Sequence, residues 1–283
     1  MFFSNQFIVM FENLGSFDYI TILILVVIGY VVMAPRLQIW RRKRSRLKKI
    51  SEIESETGNK VITMIHRKTP ISLFGVPVFS KIDVEDSEEI IRSIRENRDE
   101  PIDLVIHTPG GSLLPSIQIA KALKSHNKKT RVIVPHFAMS GGTIIALGAD
   151  EIVMDKQATI GPVDPQIGDL LRGVLPAKSW ISVKDKKELD AEDSTLALGL
   201  VSEWAMNNVD DLIRELIEDR VEDVDKVCEK LLYSNDIHSY PIFPEKAEEI
   251  GLNVSTDLPK EIHSLMELYK SLTERSNVEN LVR

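Results

Sequence analysis

Residues 102–142 read IDLVIHTPGGSLLPSIQIAKALKSHNKKTRVIVPHFAMSGG, and this stretch decides the fold. Ile102–His107 is apolar through most of its length and runs into Pro109-Gly110-Gly111. Leu113–His126 then carries its apolar residues at helical spacing. Arg131–Pro135 is a second apolar strand, and Met139-Ser140-Gly141-Gly142 turns the chain into a short apolar helix, Thr143–Gly148. Glu151–Met154 follows as a third strand. Strands that are apolar throughout, separated by helices, predict an α/β sheet covered on both faces.

Upstream, Lys60–His66 (KVITMIH) predicts another strand, and Pro70, Gly75 and Pro77 mark a turn-rich stretch. Asp86–Asn97 has an aspartate cap, early acids and Ile90, Ile91 and Ile94 at helical spacing. Downstream, residues 169–193 carry no clear period. Thr195–Leu232 reads as a long helical region, with further helices over Pro244–Gly251 and Lys260–Thr273.

The chain has 283 residues, a net charge of -8 and 43% hydrophobic residues, which is ordinary for a folded protein with a real core. Its single cysteine, Cys228, excludes an internal disulfide framework and a four-cysteine zinc site. Charge divides the chain sharply. Residues 1–35 hold no Lys or Arg, and residues 36–49 hold eight bases and no acid. Beyond residue 49 the remaining 27 bases face 41 acids, a balance of -14, which argues against a nucleic-acid-binding face.

Phe17–Ala34 (FDYITILILVVIGYVVMA) has Asp18 as its only charge and is long enough, at roughly 27 Å, to cross a bilayer. A cleaved signal peptide would place its bases before the apolar run, and here they follow it. The pattern predicts an uncleaved anchor with the amino end outside and everything from Arg36 onward in the cytoplasm. The domains expected are a short extracytoplasmic segment 1–16, the membrane helix 17–34 and a basic connector 35–58. A catalytic domain over 59–255 and a C-terminal helix and tail over 256–283 complete them.

Two turns carry the chemistry. His107-Thr108-Pro109-Gly110-Gly111-Ser112 and Ala138-Met139-Ser140-Gly141-Gly142 each follow a strand and open a helix. A serine on such a bend presents its hydroxyl in the manner of a nucleophile elbow. If the two strands are neighbours, the N–H groups of Gly111 and Gly141 would form an oxyanion hole beside Ser140.

With these residues in view, HTPGGSLLPSIQIAKAL and VPHFAMSGGTIIALGADEIVMDKQATIGPVDPQIG resemble the Clp-fold serine peptidases, among them signal peptide peptidase A and the Clp protease proteolytic subunit. The nearest likeness is to the membrane-anchored serine dehydrogenase (dehydratase) proteinase family. It extends to DVEDSEEIIRSI near residue 84 and HSYPIFPEKAEEIGLNV near residue 238, and so covers roughly residues 60–255. The resemblance implies a Clp/crotonase-like repeated ββα superhelix behind one transmembrane helix. It also implies a serine endopeptidase with Ser140 as nucleophile and Gly111 and Gly141 as oxyanion donors. Gly110, Ser112 and Met139 would contact substrate, and no cofactor or metal is called for. The partners implied are a protein or peptide substrate, lipid through residues 17–34 and further copies of the chain, with no nucleic acid.

Clp-type relatives take their base from a histidine about twenty-five residues after the serine, but this chain has no histidine between His136 and His238. Peptidases resembling signal peptide peptidase A use a lysine instead. Lys178, Lys184, Lys186 and Lys187 stand at a comparable distance, with Lys184 and Lys186 favoured. Such a lysine must be desolvated to lose its charge near neutral pH. Asp164 reads as a turn carboxylate, and His238 reaches the site only through a long return of the chain. Two other readings remain open: a catalytically inactive membrane scaffold of the same fold, and a crotonase-type acyl-CoA enzyme.

Overall fold

The computed structural model describes residues 19–73, 76–79, 81–169, 173–187, 190–234 and 237–269. The expected N-terminal segment 1–16 and the tail beyond 269 lie outside the described residues. The chain divides into two units at residues 49 and 50, and helix α1 spans Tyr19–Thr57. Leu23 to Met33 are exposed along their whole length. Among the described residues one helix is long and apolar enough to cross a membrane.

The second unit starts from β1 (Lys60–Ile65), the hairpin β2 (Lys68–Leu73) and β3 (Val76–Phe79), and α2 (Val84–Glu96). Then come β4 (Ile102–His107), α3 (Leu113–Lys124), β5 (Thr130–Val134), the two-residue β6 (Phe137–Ala138) and α4 (Gly141–Leu147). Strands β7 (Glu151–Met154) and β8 (Thr159–Ile160) precede a second hairpin, β9 (Gln166–Asp169) and β10 (Gly173–Pro176). Helices α5 (Ala177–Lys187), α6 (Asp193–Ile217) and α7 (Val224–Cys228) lead through a π-helical turn to α8 (Pro244–Glu249), β11 (Val254–Ser255) and α9 (Glu261–Glu267).

Five strands form one parallel sheet in the order β1-β4-β5-β7-β11. Alternation along the strands explains why they read as apolar throughout. Leu104, Ile106, Val132, Val134, Ile152 and Met154 share a core with α2, α3, α4 and α6. Val105, Ile133 and Val153 belong to a second core with Ile53, Ile262, Leu265 and Met266. Each such side chain, taken out of water, contributes about 1.5–3 kcal/mol before entropy is counted.

The second core draws on residues before 59 and after 255. Ile53, in the predicted connector, is fully buried, and α9 beyond residue 255 closes the second face of the sheet. The helix expected to begin at Asp86 begins earlier, because Asp83 is its cap and Asp86 closes a capping box with it. The long region 195–232 breaks after Ile217 and restarts where the Asp223 side chain accepts the Lys226 N–H.

A narrow ribbon at the carboxyl end of this sheet positions the site. Thr108 bridges Ala138, β6 pairs in parallel with β8, and Ile160 bridges Ile242 from the far end of the chain. Four segments distant in sequence thus lie side by side.

Candidate active site

The first turn is held by segment 82–86. Ile82 N–H donates to Gly110 O at 3.0 Å, and Ser112 N–H donates to Ile82 O at 3.0 Å. Gly110 has φ +103°, a conformation open to glycine, and its N–H donates to Thr108 Oγ1 at 3.1 Å. The neighbouring Gly111 is exposed, and among the described residues its N–H has no acceptor. A side chain there would strike the Ile82 backbone at 2.4 Å.

The second turn is tighter. Gly142 N–H donates to Met139 O at 2.8 Å, and Ser140 has φ 51° and ψ -114°. These are the angles of a type II′ turn, whose first central position ordinarily belongs to glycine. Ser140 is the one non-glycine residue at positive φ among those described. Thr108 ties the two turns together: its N–H donates to Phe137 O at 3.1 Å, and its carbonyl accepts Met139 N–H at 3.0 Å.

The turns are in contact. A Cβ placed on Gly110 would lie 2.8 Å from Ser140 Cβ and 3.3 Å from Gly141 N. Gly141 N–H, at the start of α4, has no acceptor among the described residues. Gly110, Met139, Ser140 and Gly141 are therefore together, with Gly111 one residue beyond, and they present two unbonded N–H groups and a half-buried hydroxyl. Gly161 packs on Met139, where a Cβ would meet the Met139 Cε at 2.3 Å.

The lysines differ from what the sequence led us to expect. Lys184 is bound to Glu203 and Asp185, and this raises its pKa, the reverse of what a neutral base requires. Lys186 and Lys187 are exposed. Lys178 donates to the Ser234 carbonyl. No hydrogen bond or ion pair links Lys184 or Lys186 to the turns among the described residues.

A different pair stands at the ribbon. Asp164, with a side chain 1% exposed, accepts from His238 Nδ1 at 2.8 Å and from Gln166 Nε2 at 2.8 Å. The turn carboxylate is thus a buried anchor, and the long return that brings His238 to it is made. A carboxylate only accepts, so Nδ1–H is the donor, and it is Nε2 that carries the lone pair in the neutral form of this tautomer. The same ribbon carries the segments on which Ser140, Asp164 and His238 stand. Ser140 lies just beyond Ala138, Asp164 just beyond its partner Ile160, and His238 just before Ile242, which runs antiparallel. Sequence distance hid this pair, although both halves lie in the quoted motifs GPVDPQ and HSYPI.

The other ionisable groups are bland by comparison. Burial lowers His107 to about 4, with Arg67 and His136 adding to it, so the imidazole is neutral. Burial pushes the Cys228 thiol up to about 12, which makes it inert. No cluster of metal-ligating side chains occurs among the described residues.

A parallel α/β sheet with a strained serine at a strand-to-helix turn, beside a second turn that offers N–H groups, is the architecture of a Clp-like serine hydrolase. The chain belongs to the ClpP-like, SDH-type serine proteinase family, whose model matches residues 9–282. Uncharacterized protein MJ0137 of Methanocaldococcus jannaschii is 48% identical over 255 residues, 88% of this chain and 87% of that one. Uncharacterized protein MJ1495 of the same organism is 44% identical over 238 residues, 83% and 80% of the two chains. Among solved structures, a mutant of the 1510-N membrane-bound stomatin-specific protease matches at TM-score 0.48 and 18% identity, covering 74% of this chain and 82% of that one. A second mutant of that protease, in complex with a substrate peptide, matches at TM-score 0.46 and 19% identity, covering 71% and 77%.

Proposed function

We propose that this protein is a membrane-anchored serine peptidase with Ser140 as nucleophile, Gly111 and Gly141 as oxyanion donors, and His238, held by Asp164, as general base. The observation that carries the reading is the Ser140 backbone, a positive φ accepted at a residue whose side chain projects beside two unbonded N–H groups. Strain of this kind costs about 1–3 kcal/mol and persists where the surroundings over-determine it.

The chemistry follows from the placement. Ser140 Oγ adds to a peptide carbonyl carbon while His238 Nε2 takes the hydroxyl proton. The carbonyl oxygen becomes an oxyanion facing Gly111 N–H and Gly141 N–H. Collapse expels the amine, which receives the proton from His238, and water then releases the acyl group by the same route in reverse. Asp164 fixes the tautomer and stabilises the imidazolium. Gly110, Ser112 and Met139 border the cleft and contact the bound chain. A lysine base would require Lys184 to shed both of its carboxylate partners, so the histidine is favoured.

The exposed run Leu23–Met33 supports insertion in a bilayer, and the eight following bases support a cytoplasmic catalytic unit. Leu200, Val201 and Trp204 are exposed on α6, and Trp204 at 63% supports self-association of the soluble unit. A monomer mass by light scattering at micromolar concentration would contradict that.

The test is fluorophosphonate labelling of the full chain in detergent, with turnover of a fluorescent protein substrate. Labelling at Ser140, lost in Ser140→Ala, supports the peptidase. Protection by an acyl-CoA would favour the crotonase-type reading, and no labelling at all would favour the scaffold. His238→Ala should cost about as much turnover as Ser140→Ala, since a nucleophile and its base act as a unit. Full activity in His238→Ala would remove the histidine from the mechanism.

A further inference from the structure

We infer that His66, with Asp86 behind it and Thr108 in front, is a positioning residue for the oxyanion turn, and this rests on the peptidase reading above. His66 is 7% exposed and follows the last residue of β1. Its Nε2 is 3.1 Å from Asp86 Oδ2, and its Nδ1 is 2.8 Å from Thr108 Oγ1. Thr108, fully buried, receives the Gly110 N–H on the same oxygen at 3.1 Å.

The donors and acceptors arrange themselves in one direction. A carboxylate only accepts, so in the neutral imidazole the tautomer that fits has its proton on Nε2, and His66 Nε2–H donates a hydrogen bond to Asp86 Oδ2. Nδ1 then accepts the Thr108 hydroxyl proton at 2.8 Å, a shorter contact than the 3.4 Å from that hydroxyl to Gly110 O, which leaves a Thr108 lone pair for Gly110 N–H. Each bond polarises the next in a buried setting. The chain therefore runs from Gly110 through Thr108 and His66 to Asp86.

This sequence of bonds has a geometric consequence. With Gly110 N–H engaged by Thr108 and Gly110 O engaged by Ile82, the peptide units on either side of Gly110 are each held, and the trans peptide sets Gly111 N–H opposite the carbonyl that Ile82 binds. Gly111 N–H is then directed outward, toward the oxyanion position. Asp86 reinforces the hold from a second side, since it also accepts Asp83 N–H at 3.0 Å in the capping box of α2. The start of α2 thus grips the turn through Ile82 directly and through His66 at one remove. Without the Thr108 hydroxyl, Gly110 N–H would be buried and unpaired, and the turn would rotate to satisfy it.

Thr108→Val removes the hydroxyl at constant shape, and Thr108→Ser keeps it. In fluorophosphonate inactivation of the full-length protein, Thr108→Val should lower the maximal inactivation rate by about 10–100-fold while leaving the half-saturating concentration within about 2-fold. Thr108→Ser should stay within about 3-fold of wild type. His66→Phe should match Thr108→Val, and the double variant should lose no more than either alone. A multiplicative double loss, or wild-type inactivation in Thr108→Val, overturns the inference. Amide hydrogen exchange of a peptide covering 108–112 gives a readout that does not depend on Ser140. His66→Phe and Asp86→Asn should both speed exchange at Gly110, and unchanged protection in both overturns the inference even if no labelling is seen. If wild type is not labelled but exchange rises as stated, the serine reading fails and the positioning of the turn stands.

Discussion

The two strand-to-helix turns solve the same problem in opposite ways. At the end of β4 the chain needs only a backbone N–H aimed outward, and it spends two glycines, one of them at φ +103°, where no side chain is strained. After β6 the chain needs a side chain on the bend, so a serine occupies a type II′ position that glycine would fill without cost. The first turn is held in place by bonds from its neighbours, Ile82 and Thr108. The second carries its strain in its own dihedral and is clamped by Met139 N–H on Thr108 O at 3.0 Å. Strain therefore stands where a reacting atom must be presented and is absent where a dipole suffices.

The sharpest way to break this contrast is to remove the side chain. Ser140→Ala should lower turnover by at least about a thousandfold, measured with the fluorescent protein substrate. Ser140→Gly should be equally inactive, yet thermal unfolding should show it about 1 kcal/mol more stable than Ser140→Ala, because only glycine relieves the positive φ. Equal stabilities would mean the dihedral stores no strain.

Adding a side chain to the first turn is next. Gly110→Ala would place a Cβ 2.9 Å from Met139 O and 2.8 Å from Ser140 Cβ, at a φ that disfavours it. Denaturant unfolding should show a loss of about 2–4 kcal/mol.

A milder effect comes from acid. The folded pKa of His107 is about 4, below the 6.5 of an ordinary histidine. Above pH 6.5 the group is neutral in both states and contributes nothing. Between 6.5 and 4 only the unfolded chain takes up the proton, so stability falls as the pH falls. The unfolding temperature should drop across that window, and His107→Leu should flatten the slope. His136, lowered for the same reason, adds to the drop. The smallest effect is expected from Lys184→Met, which should change turnover less than about 2-fold, because that lysine is already committed to Glu203. A loss comparable with Ser140→Ala would restore the lysine as base.

The strands of the large sheet were legible because both of their faces are buried, and an apolar run is the direct record of that. The two turns were legible because glycine pairs next to strands have few other uses. The hairpin β9–β10 was not, since Val174 and Leu175 are exposed and leave no alternation to read. The contact of Lys184 with Glu203, nineteen residues further on, was not legible either, because that carboxylate reaches it from a neighbouring packed helix. The packing of residues beyond 255 on the sheet was not legible for a similar reason. Ile262 and Leu265 form an ordinary short amphipathic pattern, and only the open second face of the sheet requires them.

The sequence by itself determined the α/β class, the apolar span with its flanking bases, and the two turns on which Ser140, Gly110 and Gly111 sit. These are local properties, set by periodicity, charge order and the conformational freedom of glycine within a few residues. Only the tertiary structure decided which distant groups meet them. The sequence separations of 74 from Asp164 to His238 and of 42 from His66 to Thr108 are closed by strand pairing along the ribbon and the sheet. Hydrogen bonds between such groups depend on distances of a few tenths of an ångström, and those distances exist only once the strands have paired.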